Sequence, residues 1–170
     1  MRRFVSLLGL VLLIGVAAGC GDDNVDASKA EQGIESSSLS TSTTQITSAS
    51  CPDDVKKEKG GTFTCKVKLS GGGSGEVTVT QTTNHNTFSY AFKPGSVVLP
   101  GATIDKELEQ DLADAGVEGA TVNCPDSVKV VSGETVTCPV TSAKGVNGTV
   151  SFTFTNSSGS IDDSSVKEKG

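Results

Sequence analysis

Cys51-Pro52-Asp53-Asp54-Val55-Lys56, followed by Gly60-Gly61-Thr62-Phe63-Thr64-Cys65, recurs in this chain as Cys124-Pro125-Asp126-Ser127-Val128-Lys129 and Gly133-Glu134-Thr135-Val136-Thr137-Cys138. The two stretches stay in register without a gap for roughly 38 residues and share about 15 identities, so they are copies of one unit. Further along, Val67 matches Val140, Gly75 matches Gly148, and Val77-Thr78-Val79-Thr80 matches Val150-Ser151-Phe152-Thr153.

The repeat organises the cysteines. Four of the five, Cys51, Cys65, Cys124 and Cys138, lie inside the copies, and three pairings are formally open to them. If each copy is one folding unit, Cys51 pairs with Cys65 and Cys124 with Cys138, whereas crossed bridges would tie the units together. Closing a loop of ~15 residues stabilises by about 3 kcal/mol. That matters in a chain with six Phe, one Tyr and no Trp to fill a core. The spacing fits neither a C-x-x-C redox pair nor the close cysteine pairs of a zinc site.

Within each copy the residues alternate with period two, the pattern of a half-buried strand. Phe63, Cys65, Val67 and Leu69 point one way, and Thr62, Thr64, Lys66 and Lys68 the other. Val136, Cys138 and Val140 repeat this against Thr135, Thr137 and Thr141. Val77 and Val79, the run Phe88, Tyr90, Phe92, and Val150, Phe152, Phe154 add further strands. Gly71-Gly72-Gly73-Ser74-Gly75 joins two of them as a hairpin loop; a phosphate-cradling loop would need a helix and a Lys-Ser or Lys-Thr after it.

Ahead of the second copy, Ile104, Leu108 and Leu112 share one face of a helix that Thr103 is expected to cap and Gly116 to end. Ala30 and Ile34, within 27–39, hold the matching places before the first copy. The predicted fold class is α+β: two tandem small modules, each an amphipathic helix packed on a short antiparallel sheet closed by one disulfide.

The chain opens with Arg2 and Arg3, an apolar run from Phe4 to Ala18, then Gly19 and Cys20, the order of a secretory signal. The run is shorter than the ~20 residues a membrane-spanning helix needs. Ala17-Ala18-Gly19-Cys20 resembles the bacterial lipobox, with Ala17 where Leu is usual; the resemblance implies that Cys20 becomes the N-terminus and carries lipid. The expected organisation is a signal peptide over 1–19, a lipidated tether over 20–26, a first module over 27–95 with a Ser/Thr-rich stretch at 36–50, a linker over 96–101, and a second module over 102–170.

The pattern of helix, Cys-Pro, and Gly-x-Thr-x-Thr-Cys with Val-rich strands resembles the actinobacterial domain of unknown function 4333, twice over. The resemblance implies a small α+β fold and an envelope address, and it carries over no catalytic residue.

Other candidate chemistry is thin. His85, the single histidine, stands in the polar turn Asn84-His85-Asn86, a poor base for a Ser-His-Asp triad. Asp53, Asp54 and Asp126 follow Cys-Pro and brace a turn. Asp22, Asn24 and Asp26 have the opening spacing of a calcium loop, but Ala27 and Gly33 replace its glycine and glutamate. The sequons at Asn147 and Asn156 read as turn and strand residues.

The whole chain has 14 basic and 20 acidic residues, a net charge of −6, and no general affinity for nucleic acid follows. From Cys51 to Gly95, however, Lys56, Lys57, Lys59, Lys66, Lys68 and Lys93 outnumber Asp53, Asp54, Glu58 and Glu76. Lys56, Lys57, Lys66 and Lys68 are therefore the expected anion-binding residues, with the Cys51 loop bringing the first pair to the second. The functional expectation is a non-enzymatic, lipid-anchored protein on the extracytoplasmic face of the membrane, without metal or cofactor. Its expected partners are the membrane itself and an anionic wall polymer or envelope protein. A secreted hydrolase of the envelope is the alternative.

Overall fold

The computed structural model describes residues 23–41 and 44–168. The leader and Cys20 lie outside the described residues. The described chain forms helix α1 (Ala27–Glu35), strands β1 (Ile46–Ser50), β2 (Thr62–Leu69), β3 (Ser74–Gln81), β4 (Phe88–Phe92) and β5 (Val98–Pro100), and helix α2 (Gly101–Asp114). Strands β6 (Thr121–Val122), β7 (Ser127–Lys129), β8 (Thr135–Thr141), β9 (Asn147–Phe154) and β10 (Ile161–Glu168) follow. All strand pairings are antiparallel, and the α+β tandem architecture holds.

Each module has a four-strand centre that obeys the repeat. In the first, β1, β2, β3 and β4 are neighbours in that order; in the second, β6, β8, β9 and β10 are. The alternation of β2 is realised in full, with Phe63, Cys65, Val67 and Leu69 buried and the residues between them exposed. Gly60 and Gly133 both adopt positive φ, at 85° and 82°, which lets the chain turn into β2 and β8 at little cost. The same turn bonds serve both copies: Gly60 N–H donates to the Gln81 carbonyl and Gly133 N–H to the Phe154 carbonyl, each at 2.7 Å.

The disulfides are Cys51–Cys65 and Cys124–Cys138. Each extends a strand register, because Ser50 faces Lys66 and Val122 faces Val140. The Cα atoms are 4.3 and 4.6 Å apart, the approach of an antiparallel pair that exchanges no backbone hydrogen bonds. The N–H groups of Cys51 and Cys124 accordingly point away from β2 and β8, toward the helices.

The helices lay their apolar stripes on the sheets: Ala30 and Ile34 of α1, and Ile104, Leu108 and Leu112 of α2, are buried. Asp26 caps α1 by accepting from Lys29 N–H at 3.3 Å. Thr103 does not cap α2, contrary to expectation. That helix starts two residues earlier at Gly101, whose N–H donates to the Asp126 carbonyl at 3.0 Å, so the second module's backbone supplies the acceptor. At the other end Gly116, φ 88°, closes a Schellman motif: its N–H reaches the Ala113 carbonyl and Val117 N–H the Leu112 carbonyl.

The two cores reach similar bulk by different routes. The second stacks Phe152 on Phe154, edge to face with centroids 5.3 Å apart. In the first, the corresponding places hold Val79 and Gln81, and the aromatic volume comes from Phe63 and Phe88, centroids 6.1 Å apart. Gln81 is 2 % exposed and bonded at both ends of its amide: its side-chain oxygen accepts from Glu58 N–H and its nitrogen donates to the Lys56 carbonyl, each at 2.9 Å.

Two expected boundaries change. The stretch 96–101 is not a linker, because it carries β5, with Val97 and Leu99 fully buried. β5 pairs with β7 over Val98–Lys129, Leu99–Val128 and Pro100–Ser127, and touches β3 at Ser74–Val98, so the first sheet runs on into the second module. The same arrangement starts the first module inside the expected tether. Val25, 5 % exposed, donates its N–H to the Val55 carbonyl at 2.7 Å, and Lys57 N–H donates to the Asp23 carbonyl at 2.9 Å. A second seam lies where the buried Thr44 donates its hydroxyl to the Ser158 carbonyl.

Candidate functional site

The sheet that begins at β1 buries one face under α1 and leaves the other open. On β2, the exposed residues alternate with the buried Cys65 and Val67, so Lys66 and Lys68 stand on the open face about 7 Å apart. Beside them in register lie Ser50 and Ser48 on β1 and Glu76 and Ser74 on β3. The turn from Lys93 to Ser96 rises at the β3 side and makes the face concave, a groove of about 680 Å³ whose floor is these residues.

The wall is rigid for local reasons. Ser96 donates its hydroxyl to the Lys93 carbonyl at 2.7 Å and accepts from Glu76 N–H at 3.0 Å. Lys93 N–H donates to the Glu76 carbonyl, and its ammonium binds the Glu76 carboxylate at 2.7 Å. That hydrogen bond and the charge of Lys93, with a smaller contribution from Lys66, hold the Glu76 carboxyl below its ordinary range. Glu76 is thus answered by Lys93, while no carboxylate lies in salt-bridge range of Lys66 or Lys68 among the described residues.

Of the four lysines expected to act together, the structure brings together only Lys66 and Lys68. The chain after Cys51 runs to the opposite end of β2, where the Lys56 carbonyl meets Gln81 beyond Thr62. Thr62 is about 20 Å from Lys68 along the strand. Lys56 also bridges to Asn24, and Lys57 lines a separate shallow cleft with Asn24, Asp26, Asp53 and Asn86. In their place the fold adds Lys93 and, from the second module, Lys129, whose ammonium nitrogen would lie 3.7 Å from a Cβ on Gly95.

Other candidates resolve into structure. His85 is exposed, and its backbone N–H donates to Thr83 Oγ1 at 3.1 Å. Asn147 accepts from the Thr141 hydroxyl at 3.0 Å, and Asn156 accepts from Ser158 N–H at 2.9 Å, so both sequon asparagines hold turns. Of the calcium-like triplet, Asp22 lies outside the described residues, and Asp26 is spent on the α1 cap. Among the described residues no three His, Cys, Asp or Glu side chains converge as a metal site would require. The Gly71–Gly75 stretch leads into β3, not into a helix, and Leu69 N–H donates to the Gly73 carbonyl to close the hairpin.

A second concavity, about 340 Å³, lies between the end of α2 and the β8–β9 hairpin. It leaves Val117 and Val146 at its rim 39 % and 47 % exposed.

These features define a class: a tandem protein of two fused α+β modules, each a helix on a disulfide-closed antiparallel sheet. The family model of the domain of unknown function DUF4333 matches residues 9–85 and again residues 87–159. The chain belongs to that family and carries two copies of its domain. No curated protein and no solved structure matches it.

Proposed function

We propose that the protein is a non-enzymatic lipoprotein of the bacterial cell envelope. In this reading Cys20 carries the lipid, palmitate among its acyl chains, and the two modules stand on the extracytoplasmic face of the membrane as a binding unit. The observation that carries the proposal is the pair of within-module disulfides, whose Cys65 and Cys138 are fully buried in their cores. Bridges built into the core call for folding in an oxidising compartment, which in bacteria lies outside the cytoplasmic membrane. The leader ending at Cys20 supplies both the route there and the thiol for an anchor.

Fusion of the modules through β5 and β7 supports a binding or structural role over two independent units on a string, since it gives one continuous open sheet face. The test is mass spectrometry of the N-terminal peptide of protein isolated from membranes, beside labelling of the cells with fatty acid. A thioether-linked lipid at Cys20, and its loss with release from the membrane in Cys20→Ala, is the expected result. A peptide that begins before Cys20, or an unmodified thiol there, overturns the anchor.

A further inference from the structure

The open face carries two adjacent rows of residues, each running across neighbouring strands. One passes through Ser48, Lys68, Ser74, Val98 and Lys129, on β1, β2, β3, β5 and β7. The other passes through Ser50, Lys66 and Glu76. Directly opposed residues project on one side of a sheet, so the ammonium groups of Lys66, Lys68 and Lys129 share this face. Lys68 and Lys129 are three strand spacings apart, about 14 Å, and Lys66 is about 7 Å from Lys68. Among the described residues none of the three has a carboxylate in salt-bridge range.

We propose that this groove binds a linear, phosphate-bearing polymer laid along Lys66 and Lys68 and across the seam to Lys129. The proposal rests on the reading of the protein as a binding unit and names its ligand class. Three features argue for it. First, the ammonium groups are spread over a length and do not converge, so they suit successive charges on a chain better than one small anion. Second, ammonium groups act as point-charge partners for phosphate, and the hydroxyls of Ser48, Ser50 and Ser74 stand beside them as neutral donors. Third, the chain as a whole is negative, with a net charge of −6, so an anionic polymer is repelled elsewhere and steered to this face.

The shape separates a polymer from a membrane surface. The Lys93–Ser96 turn walls the floor on one side, which admits a strand and holds a flat bilayer away from Lys66. The seam also gives the fusion of the modules a purpose, because Lys129 of the second module stands beside Gly95 in the wall of a groove lined by the first.

The test uses the protein as isolated in neutral detergent, which keeps it soluble whether or not Cys20 is lipidated, so failure of the anchor and failure of the groove are separate results. Binding is titrated with long-chain inorganic polyphosphate, inorganic phosphate, poly-glutamate, and vesicles of phosphatidylglycerol. The expected result is binding to polyphosphate that weakens with salt, falls about tenfold in the Lys66→Glu/Lys68→Glu variant and by a few-fold in Lys129→Glu. The Lys56→Glu/Lys57→Glu variant, with the same change in net charge, should bind within about twofold of wild type. Equal losses in the two double variants overturn the groove and leave only net charge. No binding to polyphosphate, equal binding to poly-glutamate, or tighter binding to the vesicles overturns the phosphate-polymer assignment. Melting temperatures of all variants guard against a folding defect; those of the Lys66, Lys68 and Lys129 variants are expected to match wild type because these side chains are exposed, whereas Lys57 is half-buried.

Discussion

Glu31 Oε1 accepts the backbone N–H of Cys51 at 2.9 Å, one helical turn before Glu35 Oε1 accepts that of Ala49 at 3.0 Å. The second module repeats both bonds: Asp105 accepts from Cys124 N–H at 2.7 Å and Glu109 from Val122 N–H at 2.9 Å. Each pair of carboxylates, spaced i and i+4 on one helix face, takes the N–H groups that the outer edge of β1 or β6 cannot give to another strand. The helices are thus joined to their sheets by polar contacts as well as by apolar ones, and the contacts sit at the disulfides.

Removing one of these acceptors leaves a partly buried N–H unpaired. We expect Asp105→Ala to cost about 2 kcal/mol, since a charge-assisted bond is lost and the Cys124 N–H stays out of reach of water. Asp105→Asn keeps an oxygen in place and should cost less than half as much. Urea denaturation of the three proteins checks this, and equal loss in both variants would mean that packing, not the bond, is at stake.

The bridges should be worth more than the acceptors. We expect Cys51→Ala/Cys65→Ala to lose about 3 kcal/mol, the closure entropy of a loop of this size. The sequence separation is 14 in both modules, so the Cys124→Ala/Cys138→Ala variant should lose a similar amount. Chemical denaturation measures both losses, and non-reduced peptide mapping should recover Cys51 joined to Cys65. A Cys65–Cys124 peptide would contradict the pairing.

Tyr90 is the single tyrosine in a chain without tryptophan, so its ionisation can be followed directly by near-ultraviolet absorbance. Burial raises its pKa above the ordinary 10.0. Its side chain packs on α1, where a Cβ on Gly33 would overlap the phenol. The sign follows from linkage: a phenol whose folded pKa is raised contributes stability in full below the unfolded pKa and loses it as pH rises through the folded one. We expect a titration midpoint above 10.0 in the native protein and a melting temperature that falls over the same alkaline range. In Tyr90→Phe that alkaline fall should be reduced.

The alternation of Phe63, Cys65, Val67 and Leu69 makes β2 readable from sequence alone, and the repeat then assigns β8 and both disulfides. β5 is not legible in the same way, because Val97-Val98-Leu99-Pro100 is apolar throughout and shows no period. Its strand character comes from pairing with Val128 and Lys129, a long-range contact. The lysine cluster fails for a related reason. Closeness of Lys56 to Cys51 along the chain suggests closeness to Lys66 through the bridge, but the segment after Cys51 leaves to pair with Asn24. Lys93 and Lys129 stand in stretches that sequence reasoning assigns to different modules, and only the shared sheet brings them together. The carboxylates Glu31, Glu35, Asp105 and Glu109 did leave a signal, the same i, i+4 acidic spacing beside Ala30 and Ile34 and beside Ile104 and Leu108. It is masked because the helices sit one residue out of register with the cysteine repeat.

Gly101 sits where the modules join, as the first residue of α2, and it is buried. A Cβ there would lie inside the contact distance of the Pro125 carbonyl oxygen and 3.1 Å from that of Cys124, both backbone atoms that no rotamer change can move. The same residue donates its N–H to the Asp126 carbonyl, so any shift that relieves the clash also lengthens that bond. Alanine favours a helix over glycine by about 1 kcal/mol, which would stabilise the protein if propensity decided the outcome. Overpacking against fixed backbone costs about 1–3 kcal/mol and opposes it. We expect the clash to win, with Gly101→Ala destabilising by about 2 kcal/mol in urea denaturation and speeding proteolysis between β5 and α2. A variant as stable as wild type would mean that the Cys124-Pro125 turn can yield, and that the modules are joined less tightly than the shared sheet implies.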